Sequence, residues 1–150
     1  MAETITVLSE PLFAALQQEI IVLLSTIDAE TGAPSTAAVS WLFATEPGKL
    51  RFAIDQRSRI IANIRNNDLV NVTVFAEGTV HAIYGSAQII VDALEAVPFK
   101  LACIDITISA VRDVMFYGSR ISVTPEYEKT YDKRAAEKLD GQVFDAMKKA

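Results

Sequence analysis

The sequence predicts a mainly β protein, an antiparallel barrel or sandwich with peripheral helices. Six segments are rich in Val, Ile, Thr and aromatic residues, which favour strands. They run over 20–28, 34–43, 49–55, 69–77, 79–91 and 103–123. Gly32, Gly48 and Gly78 lie between neighbouring segments, where hairpin turns need them. Short hairpin links and few helices favour an antiparallel over a parallel sheet.

Two features of the last predicted strands indicate local irregularity. Gly85 and Gly118 lie inside strand patterns, where glycine often marks a bulge or a close backbone approach. Apolar residues alternate with polar ones at the start of the last strand, and this alternation slips near Ala110 and Val111. A β-bulge at that point is therefore predicted, and it would change which face is buried.

Helices are predicted over 9–18, 58–66 and 92–100, and from Glu126 to the end of the chain. Ser9, Ser58 and Asp92 stand at the starts of the first three, as N-cap residues do. An apolar residue recurs every four positions in the last helix. These residues are Tyr127, Tyr131, Ala135, Leu139, Val143 and Met147. Gly141 costs that helix about 1 kcal/mol, which is compatible with a break near residues 140–141.

Composition excludes several classes of function. A chain of 150 residues suits a single domain over 1–150, and its net charge of −5 disfavours a nucleic-acid partner. One Cys and one His exclude a zinc site built from these residues, and no metal site is expected. The apolar runs are too short to span a membrane, and residues 1–19 lack Lys and Arg. We therefore expect a cytoplasmic protein without a membrane partner.

The segment 49–65 is a basic island in this acidic chain. It holds five basic residues and one acidic residue, Asp55. In its middle, a strand end at Ile54 and Asp55 leads through Arg57 into a helix that begins at Ser58 and Arg59. Free N–H groups at a helix N-terminus attract anions, and guanidinium groups suit phosphate. The segment predicts a phosphate pocket; the alternative is that Ser58 only caps the helix and the arginines form a solvated rim.

A second candidate surface is the uncharged segment 36–43, Thr-Ala-Ala-Val-Ser-Trp-Leu-Phe. The small side chains at Ala38 and Ser40 would let a flat ligand approach the backbone of the strand. Val39 and Trp41, the single Trp, belong to the same segment. The alternative interpretation is a buried strand with a core Trp. No acid–base pair is visible in the chain, so no catalytic residue is assigned.

Four ordered pieces of the chain resemble the pyridoxamine 5'-phosphate oxidase-like family of FMN-binding split barrels. They are Leu-Ser-Thr-Ile-Asp (24–28) with Thr-Gly-Ala-Pro (31–34), Leu-Arg-Phe-Ala-Ile-Asp (50–55) leading into Ser58-Arg59 and Asn63-Ile64, Asn-Asn-Asp (66–68) before 70–74, and the strand 80–87 with Gly85-Ser86-Ala87. The family includes many small general-stress and uncharacterised flavoproteins. The resemblance covers about residues 20–91.

The resemblance implies a six-stranded antiparallel split barrel with a C-terminal helix, forming a homodimer with FMN at the subunit interface. It places the flavin phosphate at Ser58, Arg59 and Asn63; Arg57 is a further candidate from the charge of the basic island. It places the isoalloxazine along two strands. The residues involved are Ala38, Val39, Ser40, Trp41, Ile54 and Asp55.

Two departures separate this chain from the full oxidases of the family. Ala37 stands where they have a basic residue, and Ile60 stands where they have Lys. Their Arg- and His-bearing C-terminal substrate segment has no counterpart, since the tail contains no His. Oxidation of pyridoxamine phosphate is therefore not expected. The expected function is that of an FMN-dependent oxidoreductase of unknown substrate; the alternative is a flavin-free dimer acting as a binding or stress-associated module for a small anion.

Overall fold

The computed structural model of the protein describes residues 3–150. Within that range seven strands form one antiparallel sheet: β1 (Val22–Ile27), β2 (Pro34–Val39), β3 (Leu42–Glu46), β4 (Lys49–Asp55), β5 (Leu69–Ala76), β6 (Thr79–Val91) and β7 (Leu101–Asp113). The helices are α1 (Glu10–Ala15), α2 (Arg59–Asn66) and α3 (Lys133–Lys149). The predicted architecture is confirmed, with seven strands in place of six.

The additional strand arises because the predicted strand 34–43 is divided. The sheet order is β2-β1-β5-β6-β7-β4-β3, so β2 and β3 lie at opposite edges although only Ser40 and Trp41 join them. The sheet must therefore curl until its edges approach each other. The backbone N–H of Ala53 in β4 donates to the Trp41 carbonyl at 3.0 Å. This bond continues the pairing of β3 with β4 by one residue, into the link from β2.

Alternation along the strands produces two apolar layers. Inside the barrel, Leu24, Phe52 and Ile104 are fully buried, with Leu12 of α1 and Ile61 of α2 packed among them. Neighbouring residues on β3, β4 and β7 point outward and are covered by α3. This second layer contains Phe43, Ala53, Cys103, Val143 and Met147. Helix α3 thus covers one half of the outer face of the sheet.

The predicted glycine turns and the predicted bulge are confirmed. Gly32, Gly48 and Gly78 lie in the β1–β2, β3–β4 and β5–β6 turns. Between β6 and β7 the pairing moves from Tyr84↔Ala110 to Gly85↔Ile108, so Ser109 is the extra residue. After the bulge the side chain that packs against the barrel core is that of Val111.

The last predicted strand is shorter than expected. β7 ends at Asp113, opposite His81, two residues from the start of β6, and one further backbone bond runs from Val114 N to Val80 O at 2.9 Å. The Asp113 carboxylate accepts hydrogen bonds from Met115 N at 3.0 Å and from Thr79 Oγ1 at 2.8 Å. Gly118 therefore lies outside the sheet, with φ of 83°, and its predicted place within a strand is wrong.

Two helix predictions also need correction. Residues 92–100 form turns, because Pro98 disfavours helical backbone at the preceding residue and the loop is closed by Leu94 N donating to Leu101 O at 2.8 Å. The C-terminal helix begins at Lys133, after the N-cap Asp132. Tyr127, Tyr131 and Ala135 are exposed, and the first two precede the helix. The helix continues through Gly141 because the cost of one glycine is small against burial of its apolar face.

Candidate functional site

The turn from β4 into α2 places Ser58 and Arg59 at a helix start, as the sequence predicts. Ser58 N donates to Asp55 O at 2.9 Å, and Ser58 Oγ accepts from Ile60 N at 3.2 Å. The helix is held against the barrel core by its buried face. That face consists of Ile60, Ile61, Asn63 and Ile64. The Ser58 hydroxyl therefore serves as the N-cap, and Arg59 is the first helical residue.

Arg59 forms an ion pair with a carboxylate that the site prediction did not include. Its Nε donates to Asp28 Oδ1 at 2.7 Å, while its side chain remains 63% exposed. The other oxygen, Asp28 Oδ2, accepts from Glu30 N, Thr31 N and Thr31 Oγ1. The Arg59 guanidinium, followed by these donors, holds the pKa of Asp28 well below its usual range. Asp28 is thus the fixed centre of the β1–β2 turn.

Asn63 lies deep behind this ion pair. Its Nδ2 donates to Thr26 Oγ1 at 3.0 Å, and its Oδ1 accepts from Ala29 N at 2.9 Å. Only 1% of the residue is exposed. In the single chain Asn63 therefore fastens α2 to β1, and both ends of its amide are occupied.

Arg57 is also paired. Its Nε and Nη2 donate to the two oxygens of Asp55 at 3.1 Å each, and its backbone N donates to Asp55 Oδ1 at 2.8 Å. The Arg57 guanidinium lowers the pKa of Asp55. Both residues border a cavity of about 400 Å³ that is also lined by Phe99 and Lys100.

The second predicted surface lies on the edge strand β2. β1 pairs with one side of β2, and within residues 3–150 no other strand pairs with its outer side. Ala38 is exposed, whereas Val39 points inward and packs on the barrel core together with Ile54 of β4. An edge strand exposes backbone N–H and C=O groups in alternation. β2 therefore offers a flat hydrogen-bonding edge with small side chains.

Trp41 lies two residues after the end of β2, and its side chain packs against the outer apolar layer, where α3 holds it. Its Nε1 donates to Asp140 Oδ1 at 2.8 Å, and Lys129 Nζ contacts both Asp140, at 3.2 Å, and Glu19, at 3.0 Å. Tyr127 also donates to Glu19. This cluster borders a cavity of about 540 Å³. Sequence analysis missed Asp140, although it lies within the predicted last helix.

The two predicted regions lie at the two ends of β2. At its start, Asp28 N donates to Ala33 O at 2.8 Å, so the Arg59 ion pair is adjacent to the first residues of the strand. At its end, Trp41 contacts β4 through Ala53. Six strand residues span about 20 Å, a length suited to a flat ring with an extended tail.

These residues fit the two parts of a flavin nucleotide unequally. The edge of β2 suits the ring, because small side chains and alternating N–H and C=O groups match a heteroaromatic edge. The phosphate end is less well matched, because Arg57 and Arg59 already contact carboxylates and Asn63 is buried. Arg51, a further arginine of the basic island, binds Asp105 at 2.6 Å and the end of α3, on the outer face of β4.

Comparison with known proteins identifies the family. A sequence model described as pyridoxamine 5'-phosphate oxidase matches residues 8–127. No curated protein matches the chain. Within residues 3–150 none of the helices is both long and apolar enough to span a bilayer.

Solved structures share the fold at low sequence identity. A candidate pyridoxamine 5'-phosphate oxidase from Lactobacillus delbrueckii has a TM-score of 0.61 at 18% identity, covering 72% of this chain and 95% of its own. General Stress Protein 26 from Bacillus anthracis has a TM-score of 0.56 at 20% identity, with 68% and 89% covered. An FMN-binding protein from Syntrophomonas wolfei has a TM-score of 0.51 at 17% identity, with 69% and 82% covered. With the family match spanning most of its length, the chain belongs to the pyridoxamine 5'-phosphate oxidase family.

Proposed function

We propose that this protein binds a flavin, FMN by family relationship, and acts as a flavin-dependent oxidoreductase. The observation that carries the proposal is the free outer edge of β2, which lies between Arg59 at one end and Trp41 at the other. A family match over residues 8–127 and the fold of an FMN-binding protein support a flavin as the ligand.

Each part of the site has a binding role in this proposal. The backbone of Ala38 and Val39 hydrogen-bonds the polar edge of the ring, and Trp41, just beyond the end of β2, marks the limit of the ring site. Ile54 supports the strand from the core side, and Arg59 lies nearest to the flavin tail. Such an arrangement orients a ring and limits its contact with water.

A bound flavin would supply hydride or electron transfer at its N5 atom. The residues of this chain bind and orient the ring, and none is proposed as an acid or base. Asp55 lies beside Ile54 and is engaged by Arg57, so its carboxylate helps to fix the rim of the site.

The absorbance spectrum of the purified protein tests this proposal. We expect a yellow protein with the near-ultraviolet and blue bands of oxidised flavin, or uptake of added flavin by a colourless protein. The fluorescence of Trp41, the single Trp, should be quenched by a flavin bound at β2. A protein that neither carries nor takes up flavin would contradict the proposal.

We also propose that the protein is a homodimer that covers the half of the sheet left free by α3. The outward positions of β2, β1 and β5 contain no charged residue, although 22% of the chain is charged. These positions are Pro34, Thr36, Ala38, Leu23, Ser25, Ile27, Leu69, Asn71, Thr73 and Phe75. An uncharged sheet face of this size favours a symmetric contact. Ala38 would bring the ring to that contact.

One observation favours a second candidate function, a flavin-free binding module. The cations expected to hold the phosphate are paired within the chain, and Ala37 and Ile60 add none. Thermal shifts measured with FMN, FAD, a deazaflavin, haem and pyridoxal phosphate separate the two functions. Stabilisation by flavins alone supports the oxidoreductase, whereas stabilisation only by a non-flavin ligand supports the module.

A further inference from the structure

In the folded chain, carboxylates lie next to the arginines of the basic island of residues 49–65. Each of its arginines contacts a carboxylate within 4 Å, and three of those carboxylates lie outside the island. The pairs are Arg51–Asp105 at 2.6 Å, Arg57–Asp55 at 3.1 Å, Arg59–Asp28 at 2.7 Å and Arg65–Asp92 at 3.6 Å. The positive charge from which the sequence predicts an anion pocket is therefore largely compensated by carboxylates in the folded chain.

The pair next to β2 cannot easily be exchanged for a phosphate. Asp28 is a buried carboxylate with four hydrogen-bond donors, so it is fixed by the turn that it organises. Glu30 lies on the other side of the guanidinium, 3.7 Å from Arg59 Nη2. A phosphate that approaches Arg59 would meet a cation flanked by two carboxylates. Like charges at such distances oppose binding.

The second guanidinium is also paired with a carboxylate, in a pair that is more exposed than the first. Both Nε and Nη2 of Arg57 donate to Asp55. This two-pronged geometry can bind a carboxylate or a phosphate, but only one of them at a time. With Lys100 of the adjacent cavity included, the three cations Arg57, Arg59 and Lys100 are matched in number by three carboxylates, Asp55, Asp28 and Glu30. The region therefore has no net positive charge with which to select a dianion.

From these pairings we propose that the site binds a flavin by its ring and does not select for its phosphate. The inference rests on the proposed function and specifies its ligand class: an isoalloxazine whose tail can be uncharged. Riboflavin and FMN then bind with affinities within about fivefold of each other, because the phosphate gains no unpaired cation. The free edge of β2 supplies contacts that both ligands make equally.

The protein is titrated with FMN and, separately, with riboflavin, and binding is followed by the quenching of Trp41 fluorescence or of flavin fluorescence. The two titrations give the ratio of the two dissociation constants. In the unmodified protein, a ratio below about fivefold supports the inference and a larger preference for FMN overturns it. Riboflavin binding alone is sufficient for the proposed function. If neither flavin binds, the proposed function fails and the inference fails with it.

A charge substitution tests the cause. Glu30→Arg places a cation beside Arg59 at an exposed position, so FMN should gain about tenfold or more over riboflavin. Glu46→Arg makes the same change of charge in the β3–β4 hairpin and should leave the ratio unchanged. An unchanged ratio in Glu30→Arg, or an equal gain in the control, would overturn the assignment of the flavin tail to this carboxylate-flanked region.

Discussion

Among single residues, Asn63 is the one on which the junction between α2 and β1 depends. Removing its amide leaves Thr26 Oγ1 buried without its partner, and Thr26 is only 2% exposed. We expect Asn63→Ala to lower the free energy of unfolding by about 1–3 kcal/mol, as measured by urea denaturation. Asn66→Ala, at an exposed position of the same helix, should change it by less than about 0.5 kcal/mol. Equal effects would show that the bridge is not structural.

Asp28 should make the stability of the protein depend on acid pH. Its folded-state pKa lies below the ordinary value of 3.8, so ionised Asp28 stabilises the fold fully above that pH. The contribution is lost as the pH falls towards the lowered folded-state pKa. Asp28→Asn should therefore melt well below the wild type at neutral pH, and the difference should shrink in acid.

Melting temperatures recorded from about pH 7 to about pH 3 test this dependence. Asp145→Asn, which removes an exposed carboxylate from α3, controls for the change in net charge. A difference between wild type and Asp28→Asn that stays constant over the whole range would show that the turn does not depend on the carboxylate charge.

Sequence reasoning at this scale found the residues of the candidate site but not their partners. Ser58 as an N-cap follows from local chemistry, because the cap and the helix are neighbours in the chain. The Arg59–Asp28 and Trp41–Asp140 contacts join residues 31 and 99 positions apart. Nothing in the local pattern indicates such pairs. Whether the site residues bind flavin stays a prediction.

Among the elements, β6 and β7 meet most closely where Gly85 faces the bulge. A Cβ at Gly85 would lie 2.3 Å from Thr107 O and 2.8 Å from Ile106 Cγ2. We expect Gly85→Ala to force the strands apart and to lower the free energy of unfolding by about 1–3 kcal/mol. Gly48→Ala, which has open space around the added methyl group, serves as the control. A smaller loss at Gly85 than at Gly48 would contradict this account.

Element boundaries were predictable where a local signal marks them. Glycine at the three hairpin turns and Ser at two helix starts placed most boundaries within a few residues. The division of 34–43 was not visible, because it results from β2 and β3 lying at opposite edges of the sheet. The early end of β7 likewise involves a tertiary contact, because the Asp113 carboxylate accepts from Thr79 Oγ1 of β6. These boundaries are set by tertiary pairing rather than by composition.

For the whole molecule, the part of the sheet that α3 leaves uncovered determines where a second copy of the chain would bind. Helix α3 buries outward residues of β3, β4 and β7, whereas within residues 3–150 the uncharged positions of β2, β1 and β5 belong to neither apolar cluster. Leu69 on this face is 62% exposed. We therefore expect light scattering to give the mass of a dimer at micromolar concentration, since burial of that face is favourable.

A charge placed on the uncharged face should separate the dimer. Thr73 lies on this face in the middle of β5, paired with Leu23 of β1 and Ala82 of β6, so a Lys there would be buried without a partner on association. Thr73→Lys should weaken the dimer by about 3 kcal/mol, on the order of 100-fold in the dissociation constant. Gln142→Lys adds the same charge on α3 and should leave the dimer intact. A wild type that is monomeric at micromolar concentration, or a Thr73→Lys variant as dimeric as the control, would place the subunit contact elsewhere or exclude it.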